Sequence, residues 1–393
     1  MNIPRLLGPA LLQDALGFKV IALLGPRQSG KTTLARTTFT HYNYASLEDP
    51  DTRLRAQTDP RNFLQELCKG QGVILDEFQK VPELLSYIQG IVDEEYRPGF
   101  FILTSSQNFL MNQAITQTLA GRISIHTLLP LSLDELVASN HLGGLYGTMY
   151  QGFYPSLYVQ QVVPERWFSS YIQTYLERDV RDLKLVTDLS LFQLFVQLCA
   201  GRIGQVLNLT SLANDCGISV NTAKSWISLL EASYILFVLR PHHKNFSKRL
   251  IKSPKLYFYD TGLACSLLKI TPEQLTSHYL RGGLFENMVL ADLHKAFYNR
   301  GMRPNIYFWR DHTGHEVDCI IEHGTTLIPI EIKSGMTIGT DFFKGLTFWN
   351  ELAQADPSKG FVVYAGSDRQ LWKNGTVMPW QMVDEMVKSV LSE

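Results

Sequence analysis

The chain has 393 residues, 45% hydrophobic and 19% charged, an ordinary globular composition with enough length for two or three domains that each bury a core. Lys plus Arg total 36 against 37 Asp plus Glu, so the net charge of −1 singles out no partner and only local charge is informative. Five scattered cysteines, none spaced as CxxC, argue against a disulfide framework and a zinc site, and point to a reducing cytoplasm.

Residues 1–5 lack the charged leader and apolar run of a signal peptide, and no apolar stretch reaches membrane length. The expectation is a cytoplasmic protein with no membrane contact. Strand-like runs recur at 19–24, 42–47, 72–75, 99–104 and 123–129, with helical segments between them. This alternation predicts a parallel α/β sheet over residues 1–140.

After the first strand comes Gly25-Pro26-Arg27-Gln28-Ser29-Gly30-Lys31-Thr32, followed by Thr33 and a helical run. Glycine, four residues, then Gly-Lys-Thr between a strand and a helix is the phosphate-binding loop pattern. Its glycines let backbone N–H groups turn inward around phosphate oxygens, and the helix N-terminus adds partial positive charge. Lys31 is the candidate for the β- and γ-phosphates of ATP, and the Thr32 hydroxyl for magnesium. The apolar run 73–75 ends in Asp76 and Glu77. Asp76 is the expected second magnesium ligand, and Glu77 the group that polarises the attacking water. Arg122 either reaches a phosphate or is a plain surface arginine.

The segment 141–155 is rich in Gly and Tyr without a clear period and reads as a linker, within a linker and helical segment over 141–200. Residues 201–253 read as a winged helix-turn-helix. Leu212 and Ala213 lie on a first helix, Gly217 makes the turn, Ile218 packs beneath it, and Ser219 caps a second helix. The second helix would expose Asn221, Thr222, Lys224 and Ser225. This segment carries seven basic residues against two acidic ones, a surplus of five that suits a nucleic-acid backbone, DNA in the first instance. The competing reading is a packing module.

In residues 254–393, Glu286 stands early in a helix, Glu316 and Asp318 share one strand face, and Glu331 and Lys333 share one face of the next strand. His312 and His315 nearby read as structural. Two carboxylates, a lysine and an upstream glutamate suit metal-dependent phosphodiester cleavage, with Asp318 and Glu331 holding magnesium and Lys333 orienting water or stabilising charge. The pattern resembles the PD-(D/E)xK nucleases. The fold class expected over the whole chain is therefore α/β: a P-loop parallel sheet, a central winged helix-turn-helix and a restriction-endonuclease-like α/β domain.

The landmarks taken together resemble a bacterial and archaeal family with an AAA-type ATPase domain and a C-terminal domain of unknown function akin to those nucleases. They are GPRQSGKTTL (25–34), VILDEFQKVP (73–82), LTSSQN (103–108), LAGR (119–122), YLERDV (175–180), YFYDTGL (257–263), GGLFENMV (282–289), FWRDHTGHEVD (308–318) and PIEIKSG (329–335). The resemblance implies ATP binding and a γ-phosphate sensor at Thr104 or Ser106. For a homo-oligomer it offers Arg122 or Arg178 as the arginine that completes a neighbour's site. Three functions stay open: an ATP-driven enzyme acting on nucleic acid with a nuclease-like domain, an ATP-dependent switch that binds DNA or protein with that domain inactive, and a signalling or assembly ATPase whose helix-turn-helix merely packs.

Overall fold

The computed structural model describes residues 3–95, 97–106, 118–176, 186, 188–242 and 250–392. Gln107, Asn108, Arg178 and three of the basic residues counted above, Lys244, Lys248 and Arg249, lie outside them.

Five parallel strands form the N-terminal sheet: β1 (Val20–Leu24), β2 (Asn43–Ser46), β3 (Val73–Asp76), β4 (Phe101–Ser105) and β5 (Ile123–Thr127), in the order β2-β3-β4-β1-β5. Every residue of β1, β3 and β4 is buried, because helices cover both faces and each strand is apolar throughout rather than alternating. Ile21 and Leu23 pack against Leu7, Leu11 and Leu34, while Val20, Ala22 and Leu24 face the larger core on the other side. Register puts Leu24 beside Ser105 and Thr127 and Ser46 beside Asp76, so the strand ends gather their polar residues on one edge.

The segment 141–155 is no linker. Gly144 leads into a helix at Leu145–Gln151, another follows at Pro155–Val159, and Phe153 and Tyr154 are each 1% exposed. Tyr154 packs on Trp167 at 4.7 Å, its hydroxyl donates to that of Tyr171 at 2.9 Å, and Trp167 and Tyr171 stack. Helices of seven and five residues are too short to show a period, and the tyrosines that suggested a loop are core. Gly152 has φ +72°, and a Cβ there would lie 2.5 Å from Asp260 Oδ1. Only glycine fits without displacing that carboxylate.

Helices Leu189–Ala200, Leu209–Cys216 and Val220–Ala232 follow. Gly217, left-handed at φ +72°, ends the second, and the Ser219 side chain accepts from Thr222 N to start the third. An antiparallel ribbon, β6 (Leu236–Leu239) and β7 (Lys255–Phe258), comes next.

The C-terminal sheet runs β12-β13-β11-β10-β9-β8, from β8 (Ile306–Arg310), β9 (Glu316–His323), β10 (Thr326–Lys333), β11 (Phe361–Tyr364), β12 (Gln370–Trp372) and β13 (Gly375–Pro379). Strands β8, β9 and β10 form an antiparallel meander, and β11 and β13 run parallel to β10. The helix Arg281–Tyr298 covers one face through Ile328, Ile330 and Ile332, and Lys344–Ala353 covers the other with Trp349 against Trp309, Val317 and Ile320. Tyr307 pairs with Ile320 but Trp309 with Val317, so Asp318 and Cys319 together oppose Phe308. That bulge re-aims Asp318 at the end of the sheet.

Candidate functional site

The phosphate loop leaves β1 at the polar edge of the N-terminal sheet. Gly25 adopts φ +151° and passes so close to Leu128 that a Cβ would lie 2.1 Å from its carbonyl oxygen. Gly30 is left-handed and starts the helix Lys31–Thr38, aiming that N-terminus into the loop. Lys31, 5% exposed, donates to the carbonyls of Gly25 at 3.0 Å and Pro26 at 2.8 Å. Ser29 Oγ is buried inside the loop with no hydrogen-bond partner.

Asp76, at the tip of β3, accepts from Thr32 Oγ1 at 2.8 Å, from Tyr44 at 3.0 Å and from Thr104 Oγ1. Glu77 stands next, left-handed at φ +52°; its amide donates to Thr104 Oγ1, and its carboxylate accepts from Ser106 Oγ at 2.9 Å and from Gln79. Thr104 and Ser106 therefore touch different acids. A cavity of about 780 Å³ opens here, with Lys31, Thr32 and Glu77 on one wall and Val159, Trp167 and Tyr171 on the other. The orphaned Ser29 hydroxyl, the lysine on loop carbonyls and the hydroxyl–carboxylate pair suit a triphosphate with magnesium held by Thr32 and Asp76.

The C-terminal carboxylates meet a different arrangement. Lys255, from β7 and 4% exposed, contacts Glu286 at 3.1 Å and also Glu316, whose other oxygen takes Arg310 at 3.2 Å. Tyr257 donates to the same oxygen of Glu286. Lys333 lies 3.4 Å from Asp318 and also pairs with Glu331, and Ile332 N donates to Asp318 at 2.9 Å. Glu331 is 3% exposed with its second oxygen unpartnered, and burial pushes its carboxyl up to about 8. Burial, outweighing Lys255, also raises Glu286 above the usual carboxylate range. Ammonium groups alternate with carboxylates, and among the described residues no three acids, histidines or cysteines group as a metal site. The residues do not fit the magnesium expected at Asp318 and Glu331. His315 stacks on Phe348 at 4.0 Å and bonds Thr313, the structural part expected of it.

A family model described as an AAA domain matches residues 17–137. Residues 17–137 are an AAA-type ATPase domain. Two further models, described as domains of unknown function DUF8612 and DUF4143, match 144–274 and 281–383. Uncharacterized proteins of Mycobacterium tuberculosis and Mycobacterium bovis are each 29% identical over 344 residues, covering 86% of this chain and 75% of their own length. Among solved structures, the Walker-type ATPase PABY2304 of Pyrococcus abyssi is 14% identical with a TM-score of 0.42, over 66% of this chain and 94% of that one. The ORC2 protein of Aeropyrum pernix in its ADP form is 14% identical with a TM-score of 0.31, over 59% and 85%.

Within the AAA domain, Arg122 does not reach the phosphate loop of its own chain. Its carbonyl bonds Val20 N at the start of β1, and its side chain pairs with Asp93 at 2.5 Å. The loop lies at the other end of that five-residue strand, about 16 Å away. The sequence reading missed Arg5, which donates to the loop carbonyl of Ser29 at 2.5 Å and to Leu129 at 2.6 Å while pairing with Glu135. It also missed Gln79 and Lys255. A polar residue two after the Asp-Glu pair was a signal for Gln79, whereas nothing local marks the other two. No helix among the described residues is long and apolar enough to cross a membrane.

Proposed function

We propose that this protein is an ATP-hydrolysing conformational switch that engages DNA. The observation that carries the reading is the set of groups around one loop: Lys31 inside it, Thr32 bonded to Asp76, and Glu77 at its mouth. Thr32 and Asp76 would hold magnesium, which when bound offsets the charge of the phosphates. Lys31 exchanges the carbonyls of Gly25 and Pro26 for β- and γ-phosphate oxygens, and the loop amides enclose the same group. Glu77 accepts a hydrogen bond from the attacking water and draws off its proton. Ser106 and Gln79 hold that carboxylate until the γ-phosphate arrives, and Thr104 links the two acids. The apolar wall of Val159, Trp167 and Tyr171 gives the base and ribose a surface to lie on.

The middle segment supports DNA as the partner. The helix Val220–Ala232 starts in a tight Gly217 turn and leaves Asn221, Lys224 and Ser225 exposed, and Arg240 and Lys252 are exposed beyond it. These residues suit a phosphate backbone, and the helix turns its apolar face inward through Ala223, Trp226 and Ile227. A switch is favoured over a live nuclease because the C-terminal acids are already neutralised from within the chain. The test is DNA affinity by fluorescence anisotropy with Glu77→Gln protein, which holds ATP without turning it over. Saturating ATP should change the affinity several-fold relative to nucleotide-free protein. Equal affinity in both states contradicts the reading.

A further inference from the structure

The acids at the end of the C-terminal sheet belong to the segment matched at 281–383, yet the ammonium that pairs with Glu286 and Glu316 comes from 144–274. Lys255 opens β7, whose ladder to β6 and bridge to Val206 fix its backbone. Two residues on, Tyr257 projects from the same strand face and donates to Glu286. The approach of the two segments is close: Gly283, on the helix that carries Glu286, would place a Cβ 3.0 Å from Ile203 O, and Gly204 would place one 3.6 Å from Gly283. Lys255 is thus held by several independent contacts.

Buried carboxylates need a counter-charge, and either a divalent ion or an ammonium can supply it. The two are mutually exclusive in one place, since each takes the same oxygen lone pairs. We infer that Lys255 is the built-in cation of the C-terminal carboxylates, filling the place a divalent metal would take, so that the native chain binds no metal there. Lys333 does the same between Asp318 and Glu331. Displacing the β6–β7 ribbon would withdraw Lys255 and expose Glu286 and Glu316 to a hard cation. Removing the ammonium leaves Glu286 and Glu316 with only Arg310 as a counter-cation, next to Asp318 on its Lys333, and these oxygens would recruit manganese or magnesium.

The test uses the full chain without nucleotide, so its result does not depend on the ATPase reading. Manganese is titrated calorimetrically into the native protein, Lys255→Met, and Lys255→Met combined with Glu286→Gln. The inference expects no saturable binding to the native protein beyond any at Thr32 and Asp76, one added saturable site in Lys255→Met, and loss of that added site in the double variant. It also expects the melting temperature of Lys255→Met to fall in EDTA and recover with manganese. Native protein that binds manganese in a manner abolished by Glu286→Gln or Asp318→Asn overturns the inference, as does a folded Lys255→Met that gains no site. Should Lys255→Met not fold, Lys255→Gln carries the same titration, and Lys255→Arg, which keeps the charge, must gain none. An added manganese site in the arginine variant also overturns it.

Discussion

Arg5 and Glu135 form a buried ion pair behind the phosphate loop, Nε to Oε1 at 3.0 Å, with side chains 7% and 0% exposed. The same guanidinium donates to Ser29 O and Leu129 O, so one residue near the chain start holds the loop against the segment that leaves β5. Glu135 also closes a capping box with Ser132 and accepts from Leu6 N. Next to it, Leu133 N donates to Asp292, on the long helix Arg281–Tyr298, and Asn299, at the C-cap of that helix, donates to Ser132. The polar path from the loop to the helix bearing Glu286 is continuous.

Arg5→Ala leaves the Glu135 carboxylate buried without its cation. The expected loss of unfolding free energy is about 3 kcal/mol, read from urea denaturation. Glu135→Gln added to Arg5→Ala should recover part of that loss, and strict additivity of the two would contradict a direct pair. ATP turnover should fall with Arg5→Ala while Asp93→Ala, which frees only Arg122, leaves it unchanged.

Asp292 supplies a pH dependence. Burial pushes its carboxyl up to about 7, and its second oxygen has no hydrogen-bond partner. The folded state therefore keeps a proton that the unfolded chain releases above about pH 4. Its stabilising contribution is full below that pH and is lost as pH rises towards 7. Asparagine keeps the acceptor for Leu133 N without the ionisation. Relative to the native chain, Asp292→Asn should gain stability between pH 4 and 7 by at most about 1.4 kcal/mol per unit. Urea midpoints at both ends of that window check it, and a difference independent of pH refutes it.

Most of the AAA domain was legible because a parallel strand buried on both faces is an unbroken apolar run, and the loop motif sits where β1 must end. Glu331 and Lys333 were legible from strand alternation. Asp318 was legible as a residue but not in its setting, since a bulge opposite Phe308 depends on the partner strand. Arg5 and Lys255 escaped because their partners lie at least 24 and 31 positions away, and no short pattern encodes such distances. The misread linker has a like cause: Tyr154 is core only because Trp167 and Tyr171 fold back onto it.

Gly152→Ala tests that packing. Its left-handed backbone and the 2.5 Å approach to Asp260 should make the substitution destabilising by about 1–3 kcal/mol. An unchanged melting temperature would mean that the turn relaxes freely.

Lys224, exposed on the helix Val220–Ala232, should contact phosphate rather than a base. Lys224→Ala is expected to weaken DNA binding alike for unrelated sequences and to reduce the slope of log affinity against log salt by about 0.9. An unaltered slope removes this helix from the interface.

In the proposed function Lys31 grips the triphosphate and Glu77 turns it over. Nucleotide binding and steady-state phosphate release, measured together on native, Lys31→Ala and Glu77→Gln proteins, test it most directly. Binding and turnover are expected in the native protein, neither in Lys31→Ala, and binding with turnover reduced at least about 100-fold in Glu77→Gln. Turnover that survives in Lys31→Ala, or that is undiminished in Glu77→Gln, contradicts it.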